Sequence, residues 1–330
     1  MKTNIERFLK TIPLFILIFL CVIAVCTGTK FINPFLLLSD ACSKTDFTIV
    51  TRIRLPRVLL SVLCGALLGG TGAVFQGFFR NPLADAGIMG VSSGATFGAL
   101  LAGGLSFSFC SFLSPVSFFA FAGAVVSSLC VYGLSKIFRE SSSITLLLSG
   151  TAVGTFFSAV SSILLMTRDK NFHSFYAWTM GSFNAKGWDD FFMFVIPSVI
   201  ALILLVLCAE DLDVLSCGED VAQGLGLDYK KTEKFVLLAG SLAASSAVCA
   251  GGIISFVGLI APHIVRKIYG PKHNTLIVQS MVYGAAIMIL SDTLARTVLS
   301  PAEIPVGIVT SLIGVPFFIF VLVQFCGERK

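Results

Sequence analysis

Charge is what this sequence has least of. Only 12% of its 330 residues are Asp, Glu, Lys or Arg, against about 25% in soluble domains. With 56% hydrophobic residues and a mean hydropathy of +0.93, that scarcity excludes an ordinary water-soluble core protein. Histidine is nearly missing too. His173, His263 and His273 are the only three, and His263 and His273 lie ten apart with no Cys or carboxylate cluster beside them, which is poor metal-ligand spacing. The dipeptide Gly-Lys is absent, so no Walker A phosphate loop can form. If ATP drives this protein, a partner hydrolyses it. Carboxylates inside apolar stretches are scarce, with Asp292 the main one. Proton or sodium relays use buried carboxylates, so an ion-coupled secondary transporter is the alternative reading and a disfavoured one.

What is present is a series of apolar runs. A membrane-spanning helix needs about 20 mainly apolar residues. Charge-free runs occupy 11–29, 58–79, 86–135, 141–167, 191–209, 235–262, 274–291 and 304–327. The third is long enough for two spans, divided near Ser114-Pro115. Region 235–272 contains Gly251-Gly252, a chain breaker, and divides into a helix over 235–250 and a short one over 256–268. The positive-inside bias supports that division. Ten spans place 14 Lys and Arg on the inner side and 9 on the outer, whereas nine spans give 10 and 13. The expectation is an all-α, polytopic membrane protein of about ten helices, multi-pass in the cytoplasmic (inner) membrane, with both termini cytoplasmic. Lys2, Arg7 and Lys10 before the first run resemble a signal peptide. The run is of full span length, and Val25-Cys26 lacks the small residue of a cleavage site. It reads as the first membrane helix.

Ten cysteines do not make a disulfide framework, because most lie inside apolar runs as small hydrophobes. Cys42 and Cys110 are the pair that could meet near the outer surface. The net charge of +5 comes from basic residues scattered singly, not from a nucleic-acid-binding patch. Gly65/Gly69 and Gly94/Gly98 are small-xxx-small pairs that let helices approach closely, here within the chain. Gly90-Val91-Ser92-Ser93-Gly94 fits G-x-S-x-G, but the hydrolase elbow needs a strand–turn–helix setting and a His partner. An intramembrane hydrolase built on Ser92 is therefore disfavoured, and no catalytic residue or cofactor is expected. In the polar loop 210–234, Ser216-Cys217-Gly218-Glu219 reads as a capping box. Val221, Ala222 and Leu225 follow as a small apolar face, and Gly226 as a left-handed helix stop. That pattern predicts a short rigid helix over 217–225, suited to contacting a partner.

The ordered set of motifs is more specific than any one of them. Arg54-Leu55-Pro56-Arg57 is followed by Gln76, Arg80-Asn81-Pro82-Leu83-Ala84 and Gly90-Val91-Ser92-Ser93-Gly94-Ala95. Then come Trp178-Thr179-Met180-Gly181-Ser182, Gly218-Glu219 with Leu225-Gly226, and the run Phe256 to Arg266. Asp292 with Arg296 and Glu303-Ile304-Pro305-Val306-Gly307-Ile308 complete the set. Over about residues 50–325 the chain resembles the FecCD-type permease subunits of ABC importers for iron–siderophore complexes, haem and cobalamin. One departure is Asp85-Ala86, where the family usually has Pro second.

The resemblance implies a type II importer permease: one transmembrane domain over 1–330, with helix one at about 11–29, a motif-bearing core at about 50–325 and an ATPase-coupling loop at about 210–234. It implies a second permease subunit, most simply an identical one, two ABC ATPase subunits and an extracytoplasmic substrate-binding protein. Arg54, Arg57 and Arg296, outer cations that run against the positive-inside trend, are implied to dock the binding protein. Ser216, Gly218, Glu219, Ala222, Leu225 and Gly226 are implied to couple to the ATPase. Ser142 and Ser143 match the cytoplasmic gate. Thr151, Gly154, Ser158, Ser161 and Ser162 recur at helical spacing along helix five and are assigned to the translocation path. No resident metal is expected. The cargo on this reading is a ferric siderophore first, or haem or cobalamin.

Overall fold

A computed structural model describes residues 2–34, 43–102, 115–137, 143–166 and 178–327. Among them there is helix and no strand. Ten main helices carry the apolar runs. They are α1 (Lys2–Cys26), α3 (Leu55–Phe78), α4 (Val91–Ala102), α5 (Pro115–Ile137), α6 (Ser143–Met166), α7 (Trp188–Leu207), α10 (Tyr229–Gly251), α11 (Val257–Tyr269), α12 (His273–Thr297) and α13 (Val306–Gly327). Short elements lie between them: α2 (Lys44–Thr48), a π-helical turn (Ile49–Arg54) running into α3, a 3-10 turn (Ala86–Met89), α8 (Ala209–Leu215) and α9 (Glu219–Gly224). The two ambiguous regions divide as the sequence suggests. Pro115 opens α5, where its missing N–H costs nothing, and the chain breaks between α10 and α11.

That second break has a local cause. Gly252 sits at φ +76, and a Cβ there would collide with the Trp178 carbonyl. Phe256 is also left-handed, at φ +69, an uncommon conformation for an aromatic residue. Its ring occupies the space that a side chain at Gly314 would need. The irregular segment 252–256 is thereby pinned against α13.

Helix α3 is the axis of the molecule and packs against α12, α10, α11 and α7. Glycine makes this possible. A Cβ at Gly65 or Gly69 would strike the α12 backbone at Gly284 or Ser280, so the two helices meet backbone to backbone. In the same way α4 meets α5 through Gly94, Gly98 and Gly123. Both small-residue pairs thus work within the chain. Helices α4, α5 and α6 form a second group, joined to the first through α10. Apolar side chains such as Phe15, Phe19, Leu129, Phe156, Ile196 and Ile203 are more than half exposed, as expected where lipid rather than water is the solvent.

Candidate functional site

An open cleft of about 830 Å³ lies where α6 passes the 3-10 turn and the start of α4. The five residues assigned to a path all line it: Thr151, Gly154, Ser158, Ser161 and Ser162. They are joined by Ser92, Ser93 and Thr96 from α4. A second cleft of about 610 Å³ lies against α13, lined by Ser255, Gly307, Ser311 and Leu312 among others. Thr179 and Ile253 line both clefts, so the pinned segment 252–256 separates two parts of one groove.

The chemistry of the wall is uniform. Among the described residues, no Asp, Glu, Lys, Arg or His lines either cleft. Five of the wall hydroxyls donate their protons locally. Thr151 donates to the Leu148 carbonyl at 2.8 Å, Thr155 to Thr151 at 2.8 Å and Ser162 to Ser158 at 2.9 Å. Across the cleft, Ser93 donates to Gly90 at 3.0 Å and Thr96 to Ser92 at 2.8 Å. Each hydroxyl keeps lone pairs for a passing donor, and none offers a charge that would hold an ion. Thr151, Ser158 and Ser162 are exposed, whereas Ser161 is 3% exposed and its Oγ has no hydrogen-bond partner. Gly90 takes the left-handed conformation, φ +64, that ends the 3-10 turn, and its carbonyl also accepts from Ser127 at 2.8 Å. Ser92 therefore sits in a helix-start turn, in a cleft with no His on its walls among the described residues. His273 binds Asp213, and His263 meets the ring of Phe317.

The three arginines are not free outer cations, and that premise is corrected. Arg54, Arg57 and Arg296 are 5%, 6% and 5% exposed. Arg57 donates to Asp292 through Nε and Nη2, at 3.1 and 2.8 Å, and to Glu303 through Nη1 at 2.9 Å. Arg296 Nε lies 3.2 Å from the same Asp292. The remaining donors turn to the end of α1 and the turn that follows it. Arg54 bonds the carbonyls of Cys26 and Lys30, at 2.9 and 2.6 Å, and Arg296 that of Ala24 at 2.9 Å. The last carbonyls of a helix lack partners inside it and carry its negative pole. Arginine is thus the natural cap here, and two carboxylates balance two of the three charges. The sequence signal was there, since Asp292 and Glu303 belong to the same motif set, but cation and anion lie 235 residues apart.

At the opposite end the capping box does not form. Ser216 ends α8, its hydroxyl donating to the Asp213 carbonyl at 2.6 Å. The next helix, α9, runs only from Glu219 to Gly224, with Gly218 at φ +119 as its N-cap. Glycine takes this conformation without the Cβ clash that a side chain would meet. The stop behaves as expected. Gly226 is left-handed at φ +91, and Leu227 N–H reaches the Ala222 carbonyl at 3.0 Å while Gly226 N–H reaches Gln223 at 2.9 Å, the paired bonds of a Schellman ending. The apolar face is divided. Ala222 is buried, whereas Val221 and Leu225 are 52% and 70% exposed.

What holds this end was missed in the sequence. Asp213 accepts from the backbone and ring of His273, both at 2.8 Å. Asp211 accepts from Thr232 at 2.8 Å, and Arg80 donates to the Leu215 carbonyl at 2.8 Å. Asp213 and Asp211 thus clamp α8 to α12 and α10, and Arg80 ties it to the end of α3. Asp228 caps α10 by accepting from Lys231 N–H at 3.2 Å; that bond holds its carboxyl below the usual range. Asp85 caps the 3-10 turn through Ala86 N–H at 2.7 Å, and burial pushes its carboxyl up. Glu233 is a further buried carboxylate, 1% exposed, with both oxygens unbonded. Ser142, the side chain of Ser143, and Cys42 and Cys110 lie outside the described residues.

Comparison with known proteins gives a consistent result. A model of the FecCD transport family matches residues 16–324. The cobalamin import system permease protein BtuC of Halobacterium salinarum is 40% identical over 84% of this chain and 74% of its own length. The iron(3+)-hydroxamate import system permease protein FhuG of Bacillus subtilis is 37% identical over 84% of each. A solved metal-chelate type ABC transporter in an inward-facing conformation superposes with a TM-score of 0.83 at 31% identity, covering 96% of this chain and 99% of the other.

Proposed function

The chain belongs to the FecCD transport family, and from that premise we propose that it passes a chelated iron or corrinoid compound across the bilayer along the groove walled by α6 and α13. The protein is a multi-pass membrane permease of an ABC importer and not an enzyme. The observation that carries the cargo reading is the wall itself: among the described residues it has hydroxyls and small apolar groups, no charge, and room in both clefts. Such a surface holds a large polar chelate weakly at every point, so nothing stops its passage. Naked metal ions would find no ligand set there. A ferric siderophore is the first choice of cargo. Uptake of radiolabelled ferric hydroxamate, haem and cobalamin in a strain lacking its own permease, complemented with this chain, tests it. Restored cobalamin uptake without iron uptake would overturn the choice.

The groove is open on one side, and a second copy of the chain is proposed to close it. Two ATPase subunits are proposed to bind at the α8–α9 end, where Val221 and Leu225 present the exposed apolar contact and the Asp213–His273 and Asp211–Thr232 bonds transmit its movement to α12 and α10. That end, with both termini, is proposed to face the cytoplasm, and the positive-inside count supports this. Leu225→Asp should uncouple ATP hydrolysis from uptake. Wild-type uptake in that variant would remove α9 from the coupling surface. Ser142 and Ser143 stay proposed for the inner gate. At the outer end, Arg54, Arg57 and Arg296 are proposed to serve docking of a substrate-binding protein from beneath, by fixing the exposed rim 298–303 through Glu303 and Asp292.

A further inference from the structure

A third concavity lies away from the groove, between α5 and α10. It encloses about 300 Å³. Val125, Leu129 and Tyr132 form one wall, and Leu238, Leu242 and Lys234 the other. The helices run antiparallel here, since Tyr132 and Lys234 lie at one end and Val125 and Leu242 at the other. From Lys234 to Leu242 the wall is about 12 Å long at 1.5 Å per residue. Apart from the lysine the lining is almost wholly apolar. Leu129 and Leu238 are 62% and 55% exposed, so the cavity opens toward the hydrocarbon that surrounds the protein.

Its mouth is basic. Lys136 stands one turn beyond Tyr132, its Nζ 4.7 Å from the ring centroid, and Lys234 lines the opposite wall. Neither makes an ion pair with a carboxylate among the described residues, whereas Lys231 on the same turn is taken by Asp228 at 3.2 Å. Glu233, next to Lys234, is turned inward and does not line the cavity, but it is near enough to attract Lys136 without pairing with it. An apolar slot parallel to the helices that ends in two ammonium groups at the membrane boundary, one of them resting on the Tyr132 ring, has the shape and charge of one kind of occupant.

We propose that the α5–α10 slot holds an anionic phospholipid, one acyl chain lying along Leu129 and Leu238 and the phosphate between Lys136 and Lys234. Lysines at this depth extend their ammonium groups toward the headgroup layer, and basic pockets between membrane helices attract anionic headgroups. The site requires only that the chain crosses a bilayer, and is independent of the cargo.

The full-length chain, purified in mild detergent, is offered equal amounts of phosphatidylglycerol and phosphatidylcholine with identical acyl chains, and retained lipid is counted by native mass spectrometry. Wild type should keep one phosphatidylglycerol per chain with about tenfold preference, given two lysines near a headgroup. Lys136→Gln with Lys234→Gln should lose that lipid. Leu238→Trp, which fills the slot and keeps both lysines, should lose it as well. Equal retention of the two lipids by wild type overturns the proposal without any variant. So does unchanged retention in either variant, or the finding that a second copy of the chain covers α5 and α10 and excludes lipid.

Discussion

Helices α3 and α6 are each 24 residues long, each apolar, and each dotted with Gly, Ser and Thr. Their environments are opposite. In the most apolar stretch of the helical run Lys44–Phe78, 78% of residues are buried; in that of Thr145–Met166, 28% are. On α3 the small residues are spacers that let α12 come within backbone contact. On α6 they are a surface, and their hydroxyls face a cleft. Small polar residues in a membrane helix therefore carry two meanings, and only the neighbour across the interface separates them.

The largest test of that contrast is the charge on α3. Arg57 holds Asp292 inside the protein and Glu303 at its exposed rim. Removing one partner of a buried pair costs about 3–5 kcal/mol, so Arg57→Met and Asp292→Leu should each sharply lower the thermal unfolding midpoint of the purified permease. A shift near zero would mean that the network is wet, and that α3 is no more interior than α6.

The next test substitutes the same residue on both helices. Gly69→Ala places a methyl on the Ser280 carbonyl and should cost about 1–3 kcal/mol through overpacking. At Gly154 the nearest atom to an added methyl is Ser93 Oγ at 3.4 Å, an ordinary contact, so Gly154→Ala should leave stability unchanged. Equal losses would break the distinction. Function should invert the order. Ser158→Asp puts a fixed charge on the groove wall and should cut uptake of an anionic chelate by about tenfold or more, since one misplaced charge opposing a ligand costs over 1.4 kcal/mol, with no change in the unfolding midpoint. Unaltered uptake would remove α6 from the path.

The smallest effect lies outside both helices. Asp228 caps α10, and its carboxyl titrates below the ordinary value. A depressed acid contributes stability above its unfolded pKa and loses it as pH falls through its folded one. Asp228→Ala should lower the midpoint slightly at neutral pH, and the difference should close on acidification below the carboxylate range. A difference that persists unchanged in acid would show that the cap acts without its charge.

The same contrast explains where sequence reading worked. Helix positions were legible because apolar runs, Pro115 and Gly251-Gly252 are local signals, and each came within a few residues of its observed place. The groove residues were legible because a stripe at helical spacing keeps its direction once the helix exists. The arginines were misjudged because positive-inside counting treats every Lys and Arg as solvated, and it cannot register a carboxylate far along the chain. The capping box at Ser216 failed for a related reason. The S-x-x-E pattern was present, but α8 had already claimed Ser216 as its end, and Gly218 supplied the cap that the serine was expected to give. The Asp213–His273 clamp gave no signal at all, since its partners are 60 residues apart.

What the sequence determined by itself is the solvent and the elements: charge is too scarce for water, and uncharged runs of bilayer length become helices because a helix satisfies every backbone group in lipid within a single segment. Tertiary structure alone decided which helix became the axis and which the wall. That choice depends on pairs brought together from distant segments, Gly65 on Gly284 and Arg57 on Asp292, whose energies exist only after the helices have met.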